Sequence, residues 1–307
     1  DGCDPDDLIT LADAAMNHAK AEGRDRCQFS TASINTRAFQ RLSLESNMRN
    51  ALREGQFCVY YQPKVDVASG RVVGAEALAR WRHPELGIVS PGEFVPVAEE
   101  TGLIRPISEQ LFTEVCAQLA TWRAQGRCDL PVSVNLSPAQ FEQPGLDRII
   151  AGIIAAARVP AAILEFEVTE SLLMRDVESA VAILNALRET GASLSIDDFG
   201  TGYSSLAYLK QFPVGALKID RSFVSQMECS ADDEAIVRAV VGLAHSIGMK
   251  VVAEGVETET QLARLAAMGC DSVQGYLYSR PLPADEFIAW ADAFQESSST
   301  SARSGSG

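Results

Sequence analysis

Three histidines in 307 residues leave little material for histidine-based acid–base chemistry or for histidine-rich metal sites. The seven cysteines, Cys3, Cys27, Cys58, Cys116, Cys128, Cys229 and Cys270, are scattered, odd in number and never spaced C-x-x-C. That excludes a zinc ribbon and a disulfide framework and suits a reducing, cytoplasmic setting. No run approaches the roughly 18 uncharged apolar residues of a membrane helix, so no membrane contact is expected from this chain. The opening DGCDPDDL has no basic stretch of the secretory kind. Positive charge is also scarce: 26 basic against 41 acidic side chains give a formal charge of −15. An excess of that sign argues against binding a nucleic-acid polymer, which needs basic surface. What remains in quantity is carboxylate, and carboxylates are the expected carriers of function.

The composition, 47% hydrophobic and 22% charged, is that of a folded globular protein. Residues 7–22 place Leu8, Leu11, Ala12, Ala15, Met16 and Ala19 at helical spacing and are followed by Gly23 and a short strand candidate, 26–29. A second helical stretch, about 38–54, ends at Glu54-Gly55 and reads as a linker helix. Ser297–Gly307, SSSTSARSGSG, has nothing to bury, and a flexible tail is expected over 293–307. Between them, 55–292 alternates β-rich runs with helical ones. Strands are expected at 57–67, 72–80, 132–136, 163–169, 193–197, 216–220, 250–254 and 272–276. Eight strands of this rhythm fit an α/β fold of the (β/α)8 TIM type. An open doubly wound sheet is the rival, but no G-x-G-x-x-G turn follows the first strand. The first two strands are joined by Ala68-Ser69-Gly70-Arg71 alone, too short for a helical crossover, so the barrel should begin with an antiparallel pair.

Side chains alternate faces along a strand, which sorts each run into a lumen side and a helix side. Leu194 and Ile196 oppose Ser193, Ser195 and Asp197, and Leu217 and Ile219 oppose Lys218 and Asp220. The same reading sends Glu76, Asn135, Glu167, Asp197, Lys218, Glu254 and Gln274 to one pocket at the strand ends, where barrel active sites lie, and Asp198, directly after Asp197 at the end of its run, is placed there with them. So many carboxylates around one lysine repel one another and raise their own pKa values unless cations neutralise them. Oxygen ligands without cysteine or histidine favour Mg²⁺ or Mn²⁺ over zinc. The pair Asp197-Asp198 suits two ions and phosphoester chemistry. Two readings of Lys218 stand at this point, a pocket cation or a structural lysine paired with Asp220.

Glu76-Ala77-Leu78-Ala79-Arg80-Trp81 resembles the signature of the EAL family, the cyclic di-GMP phosphodiesterases. Tyr61-Gln62-Pro63, Ser133–Ser137, Glu167-Val168-Thr169-Glu170, DDFGTGYSSL at 197–206, Lys218-Ile219-Asp220, Ala253–Glu257 and Gln274-Gly275-Tyr276 fit the same pattern in the same order. The resemblance covers about residues 40–292 and implies a barrel with an antiparallel first strand. It implies hydrolysis of cyclic di-GMP to linear pGpG with two Mg²⁺ or Mn²⁺ ions. One ion would be held by Glu76, Asn135, Glu167 and Asp197, the other by Asp197, Asp198 and Glu254. Lys218 would steer a water and Glu254 would help deprotonate it. Gln62, Leu78, Arg80, Asp220 and Gln274 would hold the nucleotide, Glu170 would anchor the 197–206 loop, and Glu257 would support the last turn of the site. A homodimer through the barrel also follows from the resemblance.

The stretch LADAAMNHAKAEGRDRCQF, 11–29, is similar to the closing helix and strand of a GGDEF cyclase domain, with Asn17 where that family commonly has tyrosine. Residues 1–30 are therefore expected to be the remnant of such a domain, 31–54 a linker helix, and a missing upstream cyclase or sensor region is implied. The cyclase's catalytic loop is absent, so synthesis of cyclic di-GMP is not expected. Two further readings compete: a receptor that binds cyclic di-GMP without cleaving it, and an unrelated Mg²⁺-dependent lyase barrel. The lyase has no use for Gln62, Arg80 and Gln274.

Overall fold

The computed structural model describes residues 44–127, 130–202 and 206–304. The GGDEF-like stretch, 1–30, and the first part of the expected linker lie outside the described residues. The chain divides into two compact units, one of them made of Phe57–Arg80 with Arg105 onwards.

In this larger unit eight strands close on themselves. They are β1 (Phe57–Asp66), β2 (Val72–His83, as far as Arg80 in this unit), β4 (Val132–Asn135), β5 (Leu164–Thr169), β6 (Ser193–Phe199), β7 (Ala216–Ile219), β8 (Lys250–Glu254) and β9 (Ser272–Gln274). Parallel pairing runs unbroken from β2 through β4 to β9. β1 lies antiparallel to β9 and also pairs with β2, which closes the ring. The 67–70 turn makes this possible: the Asp66 amide donates to the Arg71 carbonyl at 2.9 Å, and the Asp66 carboxylate accepts from the Ser69 amide at 2.7 Å. A short β10 (Leu282–Pro283) pairs antiparallel with β1.

The helices follow from periodicity and caps. In Leu146–Ala157 the residues Leu146, Ile150 and Ile154 are buried, one turn apart. Val177–Glu189 is capped by Asp176 and buries Ala180, Leu184 and Leu187. Glu259–Met268 opens on a Thr258/Gln261 capping box and stops at Gly269 in the left-handed region. Phe166, Ile196, Leu217, Val251 and Val273 point from the strands into the apolar layer and are at most 2% exposed. Register then sets the polar residues side by side, with Glu76 opposite Ser133, Asn135 opposite Glu167, Thr169 opposite Asp197, and Glu254 opposite Gln274.

The smaller unit combines residues up to Gln56 with Trp81–Ile104. Its described part holds a helix at 44–54, the end of β2 paired with β3 (Gly87–Val89), and the helix Pro91–Glu100. The Trp81 indole donates to Gln56 Oε1 at 3.1 Å and sets its edge against Phe94. Met48, Ala51, Phe94 and Ala98 complete its core.

The described part of the expected linker, from 44 to 54, is helical. The structure departs from the sequence reading in two places. β3 and β10 were not expected, since three and two residues are too short to show a period. The helix Ala284–Ser304 continues past 293, where a tail was expected. Its turn at Trp290 and Phe294, whose rings stack at 4.9 Å, precedes residues that extend an existing helix at small cost once it is nucleated.

Candidate active site

Lys218, on β7, is completely buried. Its Nζ contacts Glu167 Oε2 and lies 2.5 Å from Glu254 Oε1, 3.2 Å from Asp197 Oδ1 and 3.5 Å from Glu76 Oε2. Four strands thus aim a carboxylate at one ammonium group. Asp220 is not its partner: that carboxylate caps the following helix, accepting from the Ser222 amide at 2.9 Å and from the Ser222 hydroxyl. Of the two readings of Lys218, the pocket cation is the one the geometry shows.

The amides are ordered around the same cluster. Asn135 Nδ2 donates to Glu76 Oε1 at 2.6 Å, and Gln274 Nε2 donates to Glu76 Oε2 at 2.6 Å and to Gln62 Oε1 at 3.0 Å. Gln62 in turn donates to the Ser279 carbonyl at 3.1 Å. Gly275, next to Gln274, can be nothing larger, because a Cβ there would stand 2.0 Å from the Val256 carbonyl oxygen. Leu78 and Arg80 are half-buried further along β2, and the Arg80 guanidinium lies 5.6 Å from the centre of the Tyr60 ring.

Asp198 breaks the alternation of β6. Strand parity would turn it away from Asp197, but its φ is +52° and the β6–β7 register shifts between Ile196 and Phe199. The bulge lets Asp197, Asp198 and Glu254 come together. The Asp198 amide donates to its neighbour's Oδ1 at 2.9 Å. Just beyond, the Gly200 amide donates to Glu170 Oε2 at 2.8 Å, and Glu170 is 1% exposed. Glu257 is exposed; it is its backbone amide, donating to Gln261 Oε1 at 2.7 Å, that joins the turn.

The sequence reading missed Lys64. Its ammonium, 6% exposed, donates to Glu167 Oε1 at 2.7 Å, to Ser133 Oγ at 2.5 Å and to Glu165 Oε1 at 3.1 Å. Strand parity held the signal, since Gln62 and Lys64 share a face of β1.

The electrostatics follow from this packing. Six carboxylates, those of Glu76, Glu165, Glu167, Asp197, Asp198 and Glu254, surround the two ammonium groups of Lys218 and Lys64. Burial pushes Glu254 up to about 8, against the pull of Lys218, with Asp197, Glu76 and Glu167 adding to the rise. Burial likewise raises Glu76, Asp197 and Asp198, the last also through Asp220. Glu167 is the exception: burial opposes its ionisation, but Lys218 and Lys64 together hold it at about 2. Glu167 is held as an anion, whereas in Glu76, Asp197, Asp198 and Glu254 burial favours the neutral acid, a bias that a bound cation would offset.

Two groups of oxygen donors are suitably arranged for metal ions. Glu76, Glu167 and Asp197 form one, and Asp197, Asp198 and Glu254 the other, each with its ligand atoms within 4.8 Å of one another. Donors that are all carboxylate oxygen, in charge excess over their lysines, fit a hard divalent cation.

A sign follows for stability. Raised carboxyls contribute stability that is present in full below their unfolded pKa and lost as pH rises through the folded value. Glu167 behaves oppositely, its contribution being lost only as pH falls towards about 2. Between about pH 5 and about pH 8 the raised groups decide. The Tm of the metal-free protein should therefore fall across that range, and the increase on adding Mg²⁺ should grow with pH. Differential scanning calorimetry with and without EDTA checks this; a metal increment that shrinks with pH would contradict it.

A barrel whose strand ends converge on an acidic, divalent-cation-type centre defines the class to which this chain belongs. The EAL domain family model matches residues 45–281, and the chain is a member of the EAL family. It is similar to the bifunctional diguanylate cyclase/cyclic di-GMP phosphodiesterase MucR of Pseudomonas aeruginosa, 45% identical over 94% of this chain and 42% of that protein. It is also similar to the cyclic di-GMP phosphodiesterase NbdA of the same organism, 42% identical over 92% of this chain and 36% of that protein. The chain thus spans less than half the length of these relatives. Among solved structures, the PaMucR phosphodiesterase in complex with c-di-GMP is similar at a TM-score of 0.78 and 45% identity, covering 80% of this chain and 99% of that one. Among the described residues, no helix is long and apolar enough to cross a membrane.

Proposed function

We propose that this chain hydrolyses cyclic di-GMP to linear pGpG in a reaction dependent on Mg²⁺ or Mn²⁺. The observation that carries the reading is the pair of acidic groups sharing Asp197, set around buried Lys218. Glu76, Asn135, Glu167 and Asp197 would hold one ion, and Asp197, Asp198 and Glu254 the second. Bound there, the ions would supply charge neutralisation for an anionic phosphodiester and acidify water near neutral pH.

The remaining chemistry belongs to the protein. Lys218 orients the attacking water with its ammonium protons. Glu254, whose carboxylate lies beside the Lys218 ammonium, would help take the proton from that water once bound cations favour its ionised form. Water's oxygen bonds to phosphorus, the P–O3′ bond breaks in line, and the proton goes to the departing 3′ oxygen. Arg80 places a fixed positive charge on the phosphate, while Gln62 and Gln274, already hydrogen-bonded to each other, present amides to the nucleotide. Leu78 supplies an apolar contact and Asp220 an acceptor. Glu170 keeps the loop after β6 in place through Gly200, and Glu257 supports the turn after β8.

In the same reading the chain works in the cytoplasm, follows a GGDEF or sensor region in its parent protein, and dimerises through the barrel near 197–206. A mass that stays monomeric at every concentration in light scattering would count against the dimer. The function itself is tested by anion-exchange chromatography of cyclic di-GMP incubated with the protein and Mg²⁺ or Mn²⁺, with an EDTA control. Metal-dependent pGpG is the expected result. Intact nucleotide together with tight binding by calorimetry would replace the enzyme with a receptor.

A further inference from the structure

Below the acidic centre, deeper in the barrel, lies a second polar layer that the reaction does not use. β1 runs against its neighbours, so moving from Gln62 to Lys64 along it leads away from the strand ends that carry the site. There Lys64 meets Ser133 on β4 and Glu165 on β5, which stand opposite each other in register. The Ser133 hydroxyl donates to Glu165 Oε1 at 2.6 Å. The three protons of the Lys64 ammonium match three acceptors: Ser133 Oγ, Glu165 Oε1 and Glu167 Oε1. The group is therefore fully satisfied and held from two other strands. One of its bonds reaches up to a single oxygen of Glu167, while the other oxygen, Oε2, faces Lys218 and the pocket.

We propose that Lys64 is a positioning residue: braced by Ser133 and Glu165, it pins Glu167 Oε1 and so presents Oε2 alone, in a fixed direction, to a divalent cation. The proposal rests on the reading of Glu167 as a ligand. Glu167, 1% exposed, has no solvent to orient it, and a carboxylate free to rotate about its last bond would offer two poorly aimed oxygens. A partner that fixes a ligand from behind typically changes metal affinity by about 10–100-fold when removed.

The discriminating variant is Lys64→Met with Glu165→Gln. It removes one positive and one negative charge, so the charge of the layer is conserved and any change in cation affinity reports position. Mn²⁺ binding to the purified protein, read from the electron paramagnetic resonance signal of free Mn²⁺, should weaken about tenfold or more. Turnover should recover at saturating Mn²⁺, with the half-saturating concentration raised by the same factor. A merely structural lysine would lower activity at every Mn²⁺ concentration. Parent-like Mn²⁺ affinity in the folded variant would overturn the proposal. Should the double variant fail to fold, Ser133→Ala removes one brace alone and should weaken Mn²⁺ binding severalfold; an unchanged affinity there overturns the proposal equally. Glu167→Gln separates the two levels. If it leaves Mn²⁺ affinity intact, the ligand reading fails; if it abolishes binding while both Lys64-layer variants bind normally, only the role of Lys64 falls.

Discussion

Asp197→Asn is expected to lower the turnover of cyclic di-GMP by on the order of a thousandfold while leaving the fold intact. Asp197 is the one residue common to both acidic groups, so its loss removes a ligand from each. Asparagine keeps the shape and can still accept the Asp198 amide through Oδ1, which now accepts it at 2.9 Å. It also takes a like charge out of a crowded cluster, so the Tm of the metal-free protein should stay level or rise. Initial-rate assays beside calorimetry check both halves. Turnover within a few-fold of the parent would remove the assignment of Asp197 to the metal centre.

Lys218→Met should act in the opposite sense on stability. Lys218 Nζ contacts Glu167 and lies within 3.5 Å of Asp197, Glu254 and Glu76, and no other cation touches the last three in the described structure. Deleting one partner of a buried charged set costs about 3–5 kcal/mol. For a domain of this size that corresponds to a Tm lower by about 10 °C. The loss should be largest near pH 8, where protonation relieves the carboxylates least, and added Mg²⁺ or Mn²⁺ should restore part of it. A variant as stable as the parent without metal would mean that Lys218 does not hold the cluster together. The two substitutions thus form a pair, one sparing stability and one eroding it, and both should lower turnover.

Much of this arrangement is written in strand parity. Glu165, Glu167 and Thr169 on β5, or Ser193, Ser195 and Asp197 on β6, declare their shared face without a structure, and all eight barrel strands were visible as β-rich runs. Parity fails where the backbone departs from the pleat. Asp198 joins Asp197 only through a bulge, and no periodicity encodes a bulge. Lys64 was legible as a neighbour of Gln62, but its partners lie 69, 101 and 103 residues away, joined only once the barrel closes. The short β3 and β10 exist because an edge was there to pair with, which is a tertiary fact and leaves no local trace.

The left-handed backbone of Asp198 also says how such a protein can change in evolution. Asparagine, aspartate and glycine adopt that conformation at little cost, and bulky or β-branched residues do not. Aspartate becomes asparagine by a single-base change, which deletes a charge from the second acidic group yet keeps the bulge and the Glu170 tether on Gly200. Pocket shape is thereby inherited separately from pocket charge. Under the function proposed above, a lineage could give up cleavage in one step while the backbone around the site is kept, so drift from hydrolase to sensor would require no refolding.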